Sequence, residues 1–221
     1  GDVNGDGYSD LIIGAHLNDA GGTSAGRAYI YFGGSIINSG VDVVLTGLAA
    51  GDQFGYSVSS AGDVNGDGYS DVIVGANFND AGGTNAGRAY IYFGGSLMNN
   101  VADVIMSGEA VNNQFGYSVS GAGDVNGDGS PDVLVGAYGY SSSKGSAYIF
   151  YGGTFMDNTA DVIFTGESNN NYFGKSLSSA GDLNGDGFSD IIIGAMRYGN
   201  YTGKAYVYFG GSVMDNTADL T

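Results

Sequence analysis

One acidic nonapeptide, Asp-x-Asn-x-Asp-Gly-x-x-Asp, occurs four times in this chain, starting at residues 2, 63, 124 and 182. The spacings of 61, 61 and 58 residues make it the punctuation of an internal repeat, and the fold must place all four copies alike. Positions 1, 3 and 5 are Asp2, Asn4 and Asp6; Asp63, Asn65 and Asp67; Asp124, Asn126 and Asp128; Asp182, Asn184 and Asp186. Position 9 is Asp10, Asp71, Asp132 or Asp190.

Side chains at alternate positions converge when the backbone wraps around one point, and Gly at position 6 permits the sharp turn. Position 7 (Tyr8, Tyr69, Ser130, Phe188) then offers a main-chain carbonyl, and its side chain varies as a carbonyl-only role allows. Three carboxylates, an amide oxygen and a carbonyl make an oxygen-only cage for a hard cation. Ca²⁺ fits best, because Mg²⁺ demands tighter geometry and Zn²⁺ draws His or Cys. The expectation is about four Ca²⁺, one per loop. An EF-hand would need Glu at position 12 and flanking helices. That position holds Ile13, Val74, Val135 or Ile193, each within a strand-like run. A plain hairpin turn would explain Asn-Gly and Asp-Gly, but not Asp at positions 1, 5 and 9 in every copy.

The loops carry about half of the 23 acidic side chains, against 6 basic ones. Four Ca²⁺ would bring the formal charge of −17 to −9, still acidic, which argues against a nucleic-acid partner. No Cys is present, so disulfides and thiolate sites are excluded. No apolar run approaches a membrane span. The sequence opens inside the first acidic loop, which suggests a beginning elsewhere.

Other landmarks keep step with the loops. Phe-Gly recurs at 54, 115 and 173, Ala-Tyr at 28, 89, 147 and 205, and an Asp at 42, 103, 161 and 219. The interval from Gly14 to Ala28 and its equivalents is 14 residues in two copies and 11 in two, which marks an exposed loop. Four short strands are expected per unit; in the second copy they are 54–61, 72–76, 88–93 and 103–106. Within the third, Tyr90 and Tyr92 point one way and Ile91 and Phe93 the other. Both faces are apolar, as in a sheet packed between two like sheets. The reading is all-β: propeller blades of four antiparallel strands, with repeats at about 1–46, 47–107, 108–165 and 166–221 of a single region. The first blade lacks its first strand. An open solenoid is the alternative, for which 61 residues is a long coil.

Phe54-Gly55-Tyr56-Ser57-Val58, then Gly62 to Gly68, then Asp71-Val72-Ile73-Val74-Gly75-Ala76 resembles the FG-GAP repeat, which builds the β-propeller of integrin α subunits and of many microbial surface proteins. The resemblance implies four-stranded blades with structural Ca²⁺ in the loop between first and second strands. Integrin propellers have seven blades, and this chain has material for about four. An extracellular or cell-surface location is expected, with a protein or glycan ligand there; integrin-type ligand recognition is not carried over, since the family's ligand-binding loops do not map onto this chain residue by residue. The unpaired first blade makes self-association into a filament or sheath an alternative. A third alternative is a propeller attached to a polysaccharide- or lipid-degrading enzyme.

No catalytic constellation is visible, so the chain is not read as an enzyme. His16 is the only His and stands in the variable loop. Asp42, Asp103, Asp161 and Asp219 are read as structural hydrogen-bonding groups, since catalysis does not need one residue in four copies. Arg27, Arg88 and Lys204 precede the Ala-Tyr pair and would neutralise nearby carboxylates. Most of the 17 Tyr fall at strand positions. Tyr138, Tyr140, Tyr198 and Tyr201 fall in the variable loops, where a binding surface would be built. Asn200-Tyr201-Thr202 is a single N-glycosylation sequon.

Overall fold

The computed structural model describes residues 1–36 and 39–221. In chain order the elements are β1 (Leu11–Ala15), β2 (Arg27–Tyr31), β3 (Val43–Thr46), β4 (Ser57–Gly62), β5 (Asp71–Ala76), β6 (Arg88–Tyr92) and β7 (Val104–Ser107). They continue as β8 (Ser118–Gly123), β9 (Asp132–Ala137), α1 (Tyr140–Ser143), β10 (Ser146–Phe150), β11 (Val162–Thr165), β12 (Phe173–Gly181), β13 (Asp190–Ala195), α2 (Tyr198–Tyr201) and β14 (Lys204–Tyr208).

These strands form four antiparallel sheets, β1-β2-β3, β4-β5-β6-β7, β8-β9-β10-β11 and β12-β13-β14, each running in sequence order from one edge to the other. The expected strands of the second copy are found with shifts of one to three residues. Phe54 lies outside β4 and instead makes an isolated parallel bridge to Gly26 of the preceding sheet. Its N–H donates to the Ala25 carbonyl at 2.9 Å, and Phe115 repeats this with Ala86 at 2.9 Å. Gly55 follows at φ +81°, with the Arg27 carbonyl where a Cβ would stand. The Phe-Gly landmark is therefore an inter-sheet latch: Phe fills the core between sheets while Gly permits the close approach.

Three apolar cores lie between successive sheets. Phe54, Val72, Val74, Tyr90 and Tyr92 pack on Ala28, Ile30 and Leu45. Ile73, Ile91 and Met106 pack on Phe115, Val133, Val135 and Phe150. Leu134, Ile149 and Phe164 pack on Phe173, Ile191, Ile193, Tyr206 and Tyr208. Each buried Ile, Leu or Phe contributes about 1.5–3 kcal/mol relative to exposure. Tyr90 and Ile91 thus belong to different cores, as alternation on a doubly covered strand requires.

The outward faces of the two end sheets are uncovered. Leu11 and Ile13 are 57% and 44% exposed, whereas Val72 and Val74, their counterparts in the second sheet, are at 2% and 0%. Ile192 in the fourth sheet is 37% exposed, against 0% for Ile73 and Leu134.

Candidate functional sites

The second, third and fourth acidic loops each join the first two strands of their sheet, after a register shift at Ser60/Gly62, Gly121/Gly123 or Ser179/Gly181, and the first loop leads directly into β1. The loops therefore share one end of the molecule. Within the second loop, Asp63 accepts N–H bonds from Asp67 and Gly68 at 2.9 and 2.8 Å. Asn65 Oδ1 accepts from Asp67 N at 2.9 Å, and Asp67 Oδ1 accepts from Tyr69 N at 3.0 Å. The same pattern recurs around Asp2, Asn4, Asp6 and Tyr8. It recurs around Asp124, Asn126, Asp128 and Ser130, and around Asp182, Asn184, Asp186 and Phe188.

The position-9 carboxylates do more than their sequence position shows. Asp71 Oδ2 accepts from Val64 N at 2.8 Å, within the loop, and Oδ1 accepts from Gly94 N at 2.7 Å, just past β6. Asp10, Asp132 and Asp190 brace Gly33, Gly152 and Gly210 in the same way. Asp71, Asp132 and Asp190 are fully buried. Burial, with smaller contributions from the neighbouring loop carboxylates, pushes Asp71 and Asp132 up to about 7.

Among the described residues, no three carboxylate or imidazole groups close on one point in this conformation. The donor set nonetheless fits a hard cation. A carboxylate has about four lone-pair positions, so each keeps acceptor capacity beyond its N–H bonds. No basic side chain stands near the loops to compensate their charge.

The loops also join one another. Ser70 N donates to the Asp2 carbonyl and Ser189 N to the Asp124 carbonyl, both at 2.8 Å. Position 8 of the third loop is Pro131, the chain's one proline, which has no N–H to give to Asp63. Gly95, Gly153 and Gly211 donate to the position-2 carbonyls of Val3, Val64 and Val125 in the preceding loops.

Asp42, Asp103, Asp161 and Asp219 prove structural: each accepts the N–H of Phe32, Phe93, Tyr151 or Phe209 at 2.7 Å.

The opposite end has another chemistry. All six basic side chains, each among the described residues, stand there: Arg27, Arg88, Lys144, Lys175, Arg197 and Lys204. They share that end with Asp19, Asp52, Asp80, Glu109 and Glu167, and every other acid lies at the loop end. Lys204 pairs with Glu167 at 2.8 Å, in line with the expected neutralising role. Arg88 instead donates to Ser107 Oγ at 3.0 Å.

Across this end runs an aromatic ladder whose successive members lie 21 to 61 residues apart in sequence. His16 meets Tyr56 at 5.1 Å, Tyr56 meets Tyr117 at 4.8 Å, Tyr117 meets Tyr138 at 4.5 Å and Tyr138 meets Tyr172 at 5.2 Å. Lys175 lies 5.0–5.4 Å from the rings of Tyr117, Tyr138 and Tyr172. Arg197 lies between Tyr172 (4.3 Å) and Tyr201 (4.9 Å), with Nη1 donating to Tyr172 Oη at 2.8 Å. His16 is thus a half-buried ring partner of Tyr56, a contact its sequence position did not reveal. The turns carrying Tyr140 and Tyr201 are α1 and α2, single turns with left-handed residues at Ser141, Ser142, Ser143, Gly199, Asn200 and Tyr201.

Antiparallel sheets stacked face to face, each with an acidic loop at one end, define β-propeller blades. The FG-GAP repeat profile matches residues 1–31, 54–92, 115–150 and 173–208. This chain belongs to the FG-GAP repeat family. It is 34% identical over 152 residues to integrin alpha-5 of Xenopus laevis, covering 64% of this chain and 14% of that protein. It is 32% identical over 213 residues to integrin alpha-PS2 of Drosophila melanogaster, covering 88% of this chain and 14% of that protein. Human integrin alpha-IIb is 34% identical over 147 residues, covering 62% of this chain and 14% of that protein. The chain thus spans about one-seventh of the length of these relatives.

Proposed function

We propose that this chain is an extracellular, calcium-stabilised adhesion or scaffolding module with no catalytic chemistry of its own. The observation that carries the reading is the repeated loop: three carboxylates and an amide oxygen within nine residues, at one end of every sheet. Positions 1, 3, 5 and 9 would supply side-chain oxygens and position 7 its carbonyl. A bound divalent ion would supply the positive charge that the loop end lacks. Because the first loop is hydrogen-bonded to the second and the third to the fourth, ion binding would stiffen those joints between blades as well as the hairpins. The likeness to integrin alpha chains supports an adhesive role at a cell surface, with a protein or glycan as ligand. Among the described residues no helix is long and apolar enough to cross a membrane.

The test is thermal melting with Ca²⁺ and with a chelator. Ca²⁺ at about a hundred times its dissociation constant adds roughly 2.7 kcal/mol per site, so a large upward shift is expected. An unchanged melting temperature would remove calcium from the account.

A second reading, self-association, is favoured by the uncovered faces of the end sheets. Leu11 and Ile13 present one half of an inter-sheet core and Ile192 the other. On this reading light scattering finds multimers at high concentration and Leu11→Asp disperses them; a monomer throughout rules it out.

A further inference from the structure

The basic end holds polar groups that the fold does not use. The buried side-chain polar atoms without partners, among the described residues, are Arg27 Nε, both amide atoms of Asn77, Gln114 Oε1 and Arg197 Nε, and all lie at this end. Buried polar atoms are normally satisfied; of these residues, Arg197 lines the cleft at 167–171 and 197–201, and Gln114 lines its neighbour. Lys175 and Arg197 have no carboxylate partner among the described residues, although the chain carries a formal charge of −17. The nearby Glu167 is committed, accepting from Lys204 Nζ and Tyr206 Oη at 2.8 Å each.

A cleft of about 670 Å³ opens between residues 167–171 and 197–201. Its lining comprises Glu167, Ser168, a set of Asn residues, Arg197 and two Tyr, with no aliphatic side chain. A neighbouring cleft of about 600 Å³ is bounded by Tyr138 and Tyr172. Pockets for apolar ligands are lined differently. Here the exposed residues Asn169, Asn170 and Asn200 line the cleft with Tyr201, which is 69% exposed. Amides suit vicinal hydroxyls, an exposed aromatic face suits the C–H face of a pyranose, and a guanidinium with no carboxylate partner in the chain suits a ligand's carboxylate.

We propose that this cleft binds a carboxylate-bearing saccharide, with Arg197 holding the carboxylate and Tyr201 stacking on the sugar ring. An acidic peptide is the less fitting occupant, because the cleft has no aliphatic side chain to pack against its own. The acidic loops do not repel such a ligand strongly. They lie a full strand away, roughly 17 Å for five residues, while charges are screened over about 8 Å at physiological ionic strength. The left-handed turn at Gly199, Asn200 and Tyr201 holds Tyr201 outward, a strained backbone of the kind that function retains. This names a ligand for the adhesive reading and rests on it; the calcium reading is tested separately by melting.

The experiment is calorimetric titration of the whole chain, in Ca²⁺, with a sialylated trisaccharide and a glucuronate disaccharide. Each is run beside its neutral counterpart, with a polyglutamate peptide as a further arm. At least one carboxylated sugar should bind, its neutral counterpart at least tenfold more weakly. Arg197→Gln should lose tenfold or more and Tyr201→Ala several-fold, both with calcium-dependent melting unchanged. If Arg197→Gln does not fold, Tyr201→Ala carries the test. Absence of saccharide binding, equal binding of the neutral sugars, tighter binding of polyglutamate, or full affinity in the variants would overturn the proposal. Failure here with the calcium shift intact leaves the scaffold reading standing.

Discussion

The ring of Tyr69 covers Gly5 of the preceding loop so closely that a Cβ on Gly5 would stand 2.5 Å from its Cε1. Phe188 covers Gly127 in the same way, but the third loop has Ser130 at position 7, and Gly66 faces open space. All three glycines have φ near +75°. An alanine at any of them therefore meets the left-handed penalty of about 1–2 kcal/mol. Gly5→Ala and Gly127→Ala must also displace a ring, so each should destabilise by about 1 kcal/mol more than Gly66→Ala. Urea denaturation of the three variants measures the difference.

Removing a position-9 carboxylate should be costly even without metal. Asp71→Ala leaves the N–H groups of Val64 and Gly94 without their acceptor, at about 1–3 kcal/mol each where buried. Asp132→Ala should match it. Asp10→Ala should cost less, because Asp10 is partly exposed. Chemical denaturation in chelator provides the comparison; a loss seen only with Ca²⁺ present would make these residues ligands alone.

The loops should bind ions one apiece. Asp67→Ala removes a position-5 oxygen from the second loop and should lower the calorimetric Ca²⁺ stoichiometry by one site. The thermal shift on calcium addition should shrink without vanishing. A variant that loses all binding would show that the loops act as one site.

Asp52 gives a pH signature with a built-in control. It is buried and accepts a 2.6 Å bond from Asn79 Nδ2, whereas the other copies have Asn113 and Asn171 at this position. Burial raises its pKa, outweighing the hydrogen bond from Asn79. The stability tied to such a group is full below its unfolded value, about 3.9, and is lost as pH rises through the folded value. Asp52→Asn avoids that loss. It should stabilise the protein at pH 7, with the gain fading toward pH 4. Denaturation midpoints at both pH values decide it; a gain that stays constant would exclude the charge as its source.

Much of the fold was legible because each strand carries its environment in its alternation. Tyr90 against Ile91 already implied two covering sheets, and they lie in two different cores. The acidic loops were legible because four copies repeat the same chemistry. Position 9 was only half legible: an Asp reads as a ligand in sequence, and its brace to Gly94 depends on a residue 23 positions away. Position 7 read as a carbonyl, because its side chain varies, and that variation hid the packing of Tyr69 on Gly5. The ladder from His16 to Tyr172 was out of reach for another reason. Its members are spread across four repeats, and only the stacking of sheets sets them side by side.

The segregation of charge makes the molecule an electric dipole oriented along its strands. Near an anionic surface such a body experiences a torque that turns the acidic loops away and presents the tyrosine ladder. Each divalent ion taken up by a loop would cancel two of the charges that generate this torque. On the calcium reading, ion concentration would then set how firmly the molecule is oriented, and an ion held by the loops would also govern which end meets its surroundings first.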